Sequence, residues 1–397
     1  MKSTKSLSFK FILSLIPVVV IISCSSTEIK LEVTPGELAE RMINNPDFVK
    51  NANGEAFCWH ARVDLDRFVE NYKLTKDEKW LDAGIRYYDF ITGKMIIDPD
   101  GYKGWIGKYN NTGYWQDAVV GEAILFEGIL NFSVLILEDN SLKNKYGKKA
   151  IYYSETAKKH LIEKWDKRGC WIDDGPFGAY IEFNKFLKED SLKKWIVTPE
   201  LPEPKYGVSI PFNKQMSVGA VCLRLYRITG DKIYRERAEK IFLTFKSRLQ
   251  YFSNHYCWNY FEPLYPGDVD LTKNVTRHGV WVHPWRSGYQ ADEVEGIAEA
   301  YHYGIVFDEQ DIKRIINTNL DVMWNKDNLN PKFINSNGLG ADGDTAGIAE
   351  FQEAFGFSNA VKNGGELWTG LLDFDQRIRD IYEARFKKSK ESIEYIR

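Results

Sequence analysis

The chain has 397 residues, of which 44% are hydrophobic and 27% are charged. This composition is typical of a globular protein with one large core or two smaller ones, and it excludes a largely disordered chain. The formal net charge is −3 and no basic stripe dominates the sequence. Because phosphate binding needs clustered lysine and arginine, nucleic acid is not expected as a partner.

The first 23 residues are predicted to be a signal peptide. A lysine-containing start is followed by an apolar run, residues 11–22, that is too short to cross a bilayer as a mature helix. The run leads into Ile21-Ile22-Ser23-Cys24, which resembles a bacterial lipobox. This resemblance implies that Cys24 becomes the lipidated first residue of the mature protein.

The residue after the lipidated cysteine is Ser25 and not aspartate, which by resemblance to known lipoprotein sorting favours the bacterial outer membrane. Whether the protein faces the periplasm or the cell surface is left open. Residues 24–33 are expected to form a linker, and residues 34–397 a single catalytic domain. The lipid on Cys24 is the only membrane contact that we expect.

The domain is predicted to begin with a short helix. Thr34 is a suitable N-cap, and Pro35 is favourable in the first helical turn. The helix should end near Asn44.

An internal repeat indicates how the rest of the domain is built. Residues 72–84 and 226–238 align without a gap. The matched pairs are Tyr72/Tyr226, Thr75/Thr229, Asp77/Asp231, Trp80/Tyr234 and Gly84/Ala238. Each copy is interpreted as the end of one helix, a tight turn, and a threonine or aspartate that caps the next helix.

Further helix pairs follow the same pattern. In each pair the first helix is poor in charge and rich in glycine and alanine, whereas the second carries lysine, arginine and glutamate. Because small residues allow close approach, the first helix is predicted to be inner and the second outer. The pairs outside the repeat are 114–137 with 145–165, 290–303 with 308–324, and 347–357 with 366–386. We therefore expect an all-α fold, an (α/α)n toroid of roughly five to seven helical hairpins.

Long irregular stretches separate the predicted hairpins. They comprise residues 96–113, 169–206, 251–288 and 328–344. Loops of this length in a compact domain are usually functional. Since each of them precedes an inner helix, we expect all of them to gather at one end of the ring and to build a cleft there.

The segment Val275–Tyr303 has the highest density of chemically useful side chains. Its first half cannot be regular, because a proline at position 284 and a glycine at position 288 interrupt any helix. From Gln290 onwards the apolar residues follow a helical spacing. The polar groups therefore lie on the loop that leads into a helix, where free backbone N–H groups and the helix dipole favour a carboxylate.

The repeat Leu225–Tyr234, L-Y-R-I-T-G-D-K-I-Y, resembles the hairpin turn of α/α-toroid carbohydrate-active enzymes. Within that superfamily, one set of polar residues most resembles polysaccharide lyases that act on uronic acid polymers such as alginate or glucuronan. The set is Asn213, His255, His278, His283, Arg286 and Tyr289.

One part of the resemblance is to a single alginate lyase family, whose N-H-x-x-W run is similar to Asn254-His255 with Trp258. In that family the arginine and the tyrosine follow the histidine at a longer spacing than they do in this chain. Tyr301 and Tyr303 lie nearer to that spacing.

The resemblance implies cleavage by β-elimination, which removes the C5 proton next to a carboxylate. That proton is too weakly acidic unless the carboxylate charge is neutralised as the dianion forms. Arg286 can bind the carboxylate with both guanidinium nitrogens, and Asn213 or a histidine can add hydrogen bonds. Tyr289, assisted by neighbouring cations, can take the proton and return one to the leaving oxygen. This scheme requires no metal and no other cofactor.

Aromatic residues make up 14% of the chain, including 12 Trp, 22 Tyr and 23 Phe. They either stack on the sugar rings of an anionic polysaccharide or form a large aromatic core, and the sequence leaves both possibilities open. The candidate substrate-binding residues are Trp105, Trp115, Trp258, Trp285 and Gln290.

Each catalytic candidate also has a purely structural interpretation. Tyr289 could pack at the start of its helix, Asn213 could be an N-cap, and Arg286 could pair with Asp292 or Glu293.

Two other functions remain open. The first is a glycoside hydrolase on the same toroid, which needs two carboxylic acids across a cleft. Candidates are Asp117, Glu122, Asp173 and Asp174, and the stretch W-I-D-D-G-P-F resembles a loop of unsaturated glucuronyl hydrolases. The second is a non-catalytic glycan-binding lipoprotein.

Overall fold

A computed structural model describes residues 33–45, 54–108, 115–182, 186–189, 195–198, 207–273, 275–276, 284, 287–336 and 365–395. Within these ranges the chain is mostly helical, with helices packed on helices. The prediction of an all-α protein is confirmed at this level. The proposed signal peptide, Cys24 and most of the linker lie outside the described residues.

The helices are α1 (Pro35–Ile43), α2 (Gly54–Ala61), α3 (Arg67–Thr75), α4 (Lys79–Gly93), α5 (Val119–Glu138), α6 (Asn140–Ala157), α7 (Lys164–Lys167), α8 (Phe212–Thr229), α9 (Lys232–Lys246), α10 (Ser287–His302), α11 (Glu309–Asn317) and α12 (Gln376–Tyr395). A 3₁₀ turn, Arg62–Asp64, separates α2 from α3, and π turns occupy Lys158–Glu163 and Thr318–Met323.

The strands are β1 (Ile96–Ile97), β2 (Lys103–Gly104), β3 (Gly107–Lys108), β4 (Trp115–Gln116), β5 (Trp171–Asp174), β6 (Phe177–Tyr180), β7 (Phe186–Glu189), β8 (Trp195–Thr198), β9 (Gln250–Phe252), β10 (His255–Cys257), β11 (Val269–Asp270) and β12 (Val275–Thr276). They form small antiparallel sheets, the largest with the order β3-β4-β7-β8. The connecting stretches that we expected to be irregular therefore contain short hairpins.

The first helix begins as the sequence predicts. The Thr34 side chain accepts a hydrogen bond from the backbone N–H of Glu37, and the Glu37 carboxylate accepts one from the backbone N–H of Thr34. This reciprocal pair is a capping box.

The internal repeat has the same backbone geometry in both copies. Lys76 and Gly230 are both left-handed, with φ of 58° and 72°, and their N–H groups donate to the carbonyls of Tyr72 and Tyr226 at 2.7 Å. Thr75 and Thr229 each donate through Oγ1 to a carbonyl four residues earlier at 2.7 Å. At the start of the next helix, Asp77 accepts a hydrogen bond from the backbone N–H of Lys79, and Asp231 accepts one from that of Ile233. Each copy therefore ends one helix and starts its antiparallel neighbour.

Small residues allow the helices to approach closely, as the composition of the inner helices indicates. A Cβ placed on Gly128 of α5 would lie 2.7 Å from the Cβ of Leu65, and one on Gly219 of α8 would lie 3.1 Å from the Phe242 ring. Helix α5 packs against α6 and α8, and α8 packs against α9 and α10. The inner helices α2, α5, α8 and α10 pack side by side in that order. Helices α6, α9 and α11 pack on α5, α8 and α10, and α4 packs on α3.

Several predicted boundaries are wrong. The helix expected from residue 114 begins at Val119, because Trp115 and Gln116 belong to β4. The helix expected from residue 145 begins at Asn140, where Asp139 caps it. The predicted helix 347–357 lies outside the described residues, and its partner begins at Gln376, not at residue 366.

Among the described helices, α5 alone is long and apolar enough to cross a membrane, and most of it is buried inside the protein, as in a core helix. The four described cysteines, Cys58, Cys170, Cys222 and Cys257, are buried, and none of them forms a disulfide with another described residue.

Candidate functional site at the start of the inner helices

The first turns of the inner helices lie together at one end of the molecule. A Cβ on Gly54, the first residue of α2, would lie 2.8 Å from the carbonyl oxygen of Gln116, and one on Gly121 of α5 would lie 3.3 Å from the Cα of Glu55. Lys214, in the first turn of α8, reaches Glu55 with an Nζ to Oε1 distance of 3.2 Å. The starts of α2, α5 and α8 therefore lie close together.

Tyr289, in the first turn of α10, is held between two aromatic rings. It stacks on Tyr260 with ring centroids 5.1 Å apart, and it meets Trp59 of α2 edge to face at 6.3 Å. The carbonyl of Tyr260 accepts a hydrogen bond from the backbone N–H of Phe212 at 3.1 Å. The tyrosine ring is half-buried and is fixed by elements from three parts of the chain.

Lys214 supplies a cation beside Tyr289. Its Nζ lies 3.2 Å from Glu55 and 4.0 Å from Glu182, and its side chain is 12% exposed. Burial acts to lower the pKa of Lys214, but the two carboxylates outweigh it and keep that pKa above its usual value. The ammonium also interacts electrostatically with Tyr289.

Asn213 lies next to Lys214 within the first turn of α8. The helix begins at Phe212 after Pro211, so Asn213 is not the N-cap, and that interpretation is wrong. The residue is 2% exposed, and its Oδ1 has no hydrogen-bond partner among the described residues. Its backbone N–H donates to the carboxyl group of Glu293.

The acids considered as structural partners of Arg286 are bonded to other groups. Asp292 binds Arg62, with Nη2 to Oδ1 at 2.7 Å, and Oε2 of Glu293 accepts a hydrogen bond from Nε1 of Trp258. Arg286 itself lies outside the described residues, as do His278, His283 and Trp285.

His255 lies away from Tyr289. It is on β10, in a hairpin that packs against α11, and its ring stacks on Phe252 at 5.8 Å. None of its described contacts reaches Tyr289 or Lys214. The structure therefore does not bring His255 into the site.

Three of the predicted substrate-binding residues are structural. Trp105 is 3% exposed and donates through Nε1 to the carbonyl of Ile91 at 2.9 Å, and Trp258 is fully buried. Neither ring has a free face for a sugar. Gln290 is 2% exposed and donates to Oγ of Ser336 at 2.7 Å. Trp115, in β4, remains half-buried.

Tyr301 and Tyr303 lie at the opposite end of α10. Twelve residues of α-helix separate Tyr289 from Tyr301, which corresponds to about 18 Å. The ring of Tyr301 packs on Phe374, with centroids 5.3 Å apart. Tyr289 is thus the tyrosine of this helix that lies with the other site residues.

Two of the predicted hydrolase acids are locked in a buried ionic network. Nζ of Lys164 lies 2.8 Å from Asp117 and also binds Glu122, and Arg168 binds Asp117 at 2.7 Å. Asp117 and Glu122 are 2% and 1% exposed. Burial alone would raise the pKa of Asp117, but Lys164 and Arg168 lower it to about 2. These carboxylates cannot face a substrate.

The other two predicted hydrolase acids lie on an exposed hairpin. Asp173 and Asp174 are on β5, and Asp173 pairs with Lys240 of the outer helix α9. Neither has a described contact with Tyr289 or Lys214.

A polar cavity of about 70 Å³ lies between the inner helices, roughly one helical turn below Tyr289. Its charged lining consists of Arg62, Asp66, Glu127, Asp292 and Glu295. Within the described part of the chain, no group of three or more His, Cys, Asp or Glu is arranged to hold a metal ion.

Several residues of this site were not predicted from the sequence. They are Glu55, Trp59, Glu182, Lys214 and Glu293. Lys214 was the easiest to find, because it directly follows Asn213 at the start of an inner helix. The others come together only through contacts between distant parts of the chain.

The chain matches no protein-family model, and no curated protein matches it.

Proposed function

We propose that the protein is a polysaccharide lyase that cleaves a uronic-acid-containing polysaccharide, of alginate or glucuronan type, by β-elimination. The observation that carries the proposal is the position of Tyr289, held between Trp59 and Tyr260 beside the buried ammonium of Lys214. A phenol next to a fixed cation at the start of a helix can act on a proton beside a carboxylate.

The proposed reaction begins when the substrate carboxylate binds near Lys214 and Asn213. These groups, together with Arg286, His278 and His283 from the preceding segment, would stabilise the charge that develops as the dianion forms. Lys214 is held between Glu55 and Glu182, so its charge is fixed in place before the substrate binds.

Tyr289 then acts as base and acid. Its phenolate oxygen takes the C5 proton, the C5–H electron pair forms the C4=C5 double bond, and the C4–O bond breaks. The same phenol returns the proton to the leaving oxygen. The substrate and Tyr289 supply every atom and electron of this step, so it needs no cofactor.

We infer that the helices continue into an α/α toroid. Three observations support this: α5, α8 and α10 line one cavity together with the segment after α2, each of these three helices packs on an outer partner, and Arg62 of the first inner segment binds Asp292 of α10. The described residues contain three such pairs, α5/α6, α8/α9 and α10/α11.

We also propose that the protein is a bacterial outer-membrane lipoprotein anchored through Cys24. The lysine-rich start, the apolar run and the lipobox-like sequence support this proposal. In a bacterial host, the wild type should incorporate radiolabelled palmitate and Cys24→Ala should not, and equal labelling of both would refute the anchor.

The function is tested by incubating the mature protein with alginate, glucuronan, pectate and glycosaminoglycans and recording ultraviolet absorbance. A lyase makes a conjugated unsaturated product that absorbs, and we expect absorbance with at least one uronate polymer. New reducing ends without absorbance would contradict the proposal and indicate hydrolysis. Binding without either product would indicate a glycan-binding protein.

A hydrolase remains the second candidate because of one observation. Oxygens of Glu55 and Glu182 both lie within 4.0 Å of Nζ of Lys214, so these carboxylates are at most about 7 Å apart. This upper limit is compatible with the carboxylate separations of about 5–9.5 Å that glycoside hydrolases use. If hydrolysis is observed, Glu55→Gln and Glu182→Gln should each abolish it, while Asp117 would act only through stability.

A further inference from the structure

Glu293 is a buried acid that has no cationic partner among the described residues. It lies one helical turn after Tyr289 on α10 and is fully buried. Its described hydrogen-bond partners are Nε1 of Trp258, which donates to Oε2, and the backbone N–H of Asn213. Oε1 has no partner among the described residues.

The surroundings of Glu293 favour its neutral form. Burial raises its pKa well above the usual value, although the hydrogen bonds from Trp258 and Asn213 act in the opposite direction. The charged and titratable groups near it are Asp292 on its own helix and Tyr260 on the neighbouring loop. Neither supplies a positive charge, so the described part of the chain would leave an ionised carboxylate buried without compensation.

A neutral carboxyl group has one hydroxyl donor that needs an acceptor. The carboxyl group of Glu293 accepts a hydrogen bond from each of the two described donors. Because Nε1 of Trp258 donates to Oε2, we place the carboxyl proton on Oε1. Oδ1 of Asn213 is an acceptor without a described partner, on the residue whose backbone already binds Glu293. A hydroxyl on Oε1 and a carbonyl on Asn213 therefore match in chemistry and in position.

We propose that Glu293 is a neutral hydrogen-bond donor that holds Oδ1 of Asn213 and so turns the Nδ2 amide hydrogens of Asn213 toward the substrate carboxylate. This rests on the proposed lyase function. An ionised Glu293 would instead attract the amide hydrogens and turn the carbonyl outward, where it would repel a carboxylate. Glu293 is thus a positioning residue that acts through Asn213.

The proposal has a pH consequence with a defined sign. Below the pKa of Glu293 the hydroxyl is present and Asn213 is correctly oriented. As the pH rises through that pKa the donor is lost, and activity should fall on the alkaline side. Glu293→Gln keeps a neutral donor at every pH, so this variant should retain the activity that the wild type loses.

The protonation state can be measured without any activity. We expect the infrared difference spectrum of wild type minus Glu293→Gln at pH 7 to contain the C=O stretching band of a protonated carboxylic acid. Glu309→Gln, which changes an exposed glutamate at the start of α11, should show only carboxylate bands. Carboxylate bands alone for Glu293 would overturn the proposal.

The orientation of Asn213 is tested by kinetics on the uronate polymer that gives absorbance. Asn213→Ala should lower kcat by at least about 100-fold, as expected for loss of one donor to a developing negative charge. Glu293→Leu should lower kcat by about 10–100-fold, and Glu293→Gln should restore most of it. In the double variant Asn213→Ala/Glu293→Leu, the loss should not exceed that of Asn213→Ala.

Two kinetic results would overturn the positioning role. One is a kcat of Glu293→Gln that is as low as that of Glu293→Leu. The other is a double variant whose loss of kcat equals the product of the two single losses. If Glu293→Leu fails to fold, Glu293→Gln and the infrared measurement still decide. A wild type that makes no unsaturated product would refute the proposed lyase function, whereas the infrared result would still decide whether Glu293 is neutral.

Discussion

Gly104 shows how tightly single residues are constrained near the site. A Cβ at this position would lie 2.5 Å from Oδ2 of Asp117 and from Oε1 of Glu122, and 2.9 Å from Nζ of Lys164. These groups form the buried ionic network that connects the β2 strand to α7. An added methyl group must therefore displace the charged atoms of this buried network.

We expect Gly104→Ala to lower the free energy of unfolding by at least about 2 kcal/mol, measured by urea denaturation. Gly93→Ala is the matched control, because no atom lies within 4 Å of a Cβ at the end of α4. The control should change stability by less than about 1 kcal/mol. Equal effects of the two substitutions would show that the network tolerates the methyl group.

At the residue scale, local signals were readable from the sequence and distant contacts were not. The capping box of Thr34 depends on neighbours three residues away, so the pattern alone predicts it. Lys214 and Glu55 meet across 159 residues, and no periodicity encodes that meeting. The burial of Trp105 and Trp258 was not predicted either, because composition does not distinguish an aromatic residue of the core from an exposed one.

At the element scale, the repeated turn is the best predicted feature. A threonine and an aspartate at fixed spacing make the same hydrogen bonds in both copies. The short strands and the π turns were missed. Strands of two residues are too short to show alternation, and the π turn Lys158–Glu163 continues a helix without any break in polarity.

The cavity between the inner helices makes stability depend on pH. Burial raises the pKa of Glu127 on α5 to about 8, while Arg224 acts to lower it and Glu299 to raise it further. The folded value is above the usual value of 4.5, so the folded state binds this proton more tightly than the unfolded state. The stabilisation is complete below about pH 4.5 and is lost as the pH rises through about 8.

We expect the stability advantage of the wild type over Glu127→Gln to decrease by about 1–2 kcal/mol between pH 5 and pH 9, after allowing for solvent in the cavity. Urea denaturation of both proteins across this range measures it. An advantage that stays constant or increases with pH would show that Glu127 is ionised in the folded protein throughout.

At the scale of the whole molecule, one ion pair connects the first and the last described inner segments. Arg62 and Asp292 are 230 residues apart in the sequence and form two hydrogen bonds of 3.1 and 2.7 Å. The guanidinium also lies 5.0 Å from the Trp59 ring centroid. In a closed ring this pair should contribute to global stability.

A double-mutant cycle with Arg62→Met and Asp292→Asn should give a coupling energy of about 1–2 kcal/mol. The control pair, Arg235 and Glu239 on the surface of α9, should give about 0.3–0.5 kcal/mol. If the coupling of Arg62 and Asp292 is no larger than that of the control, the two segments do not depend on each other as a ring requires.

The overall architecture was predictable only in part. Helix pairing follows from polarity and chain order, and the described pairs α5/α6 and α8/α9 agree with it. Ring closure depends on contacts such as Arg62 with Asp292, for which the sequence gives no local signal. The site could be predicted only in part for the same reason, because it is assembled from α2, α8, α10 and the loop that carries Tyr260.

The most direct test of the proposed function is the initial rate of ultraviolet-absorbing product for Tyr289→Phe compared with the wild type. Removing the phenolic oxygen leaves the ring between Trp59 and Tyr260, so the fold should be retained while proton transfer is lost. We predict a loss of at least about 100-fold, with Tyr301→Phe at the other end of α10 close to the wild type. A Tyr289→Phe variant that keeps most of the wild-type rate would contradict the account.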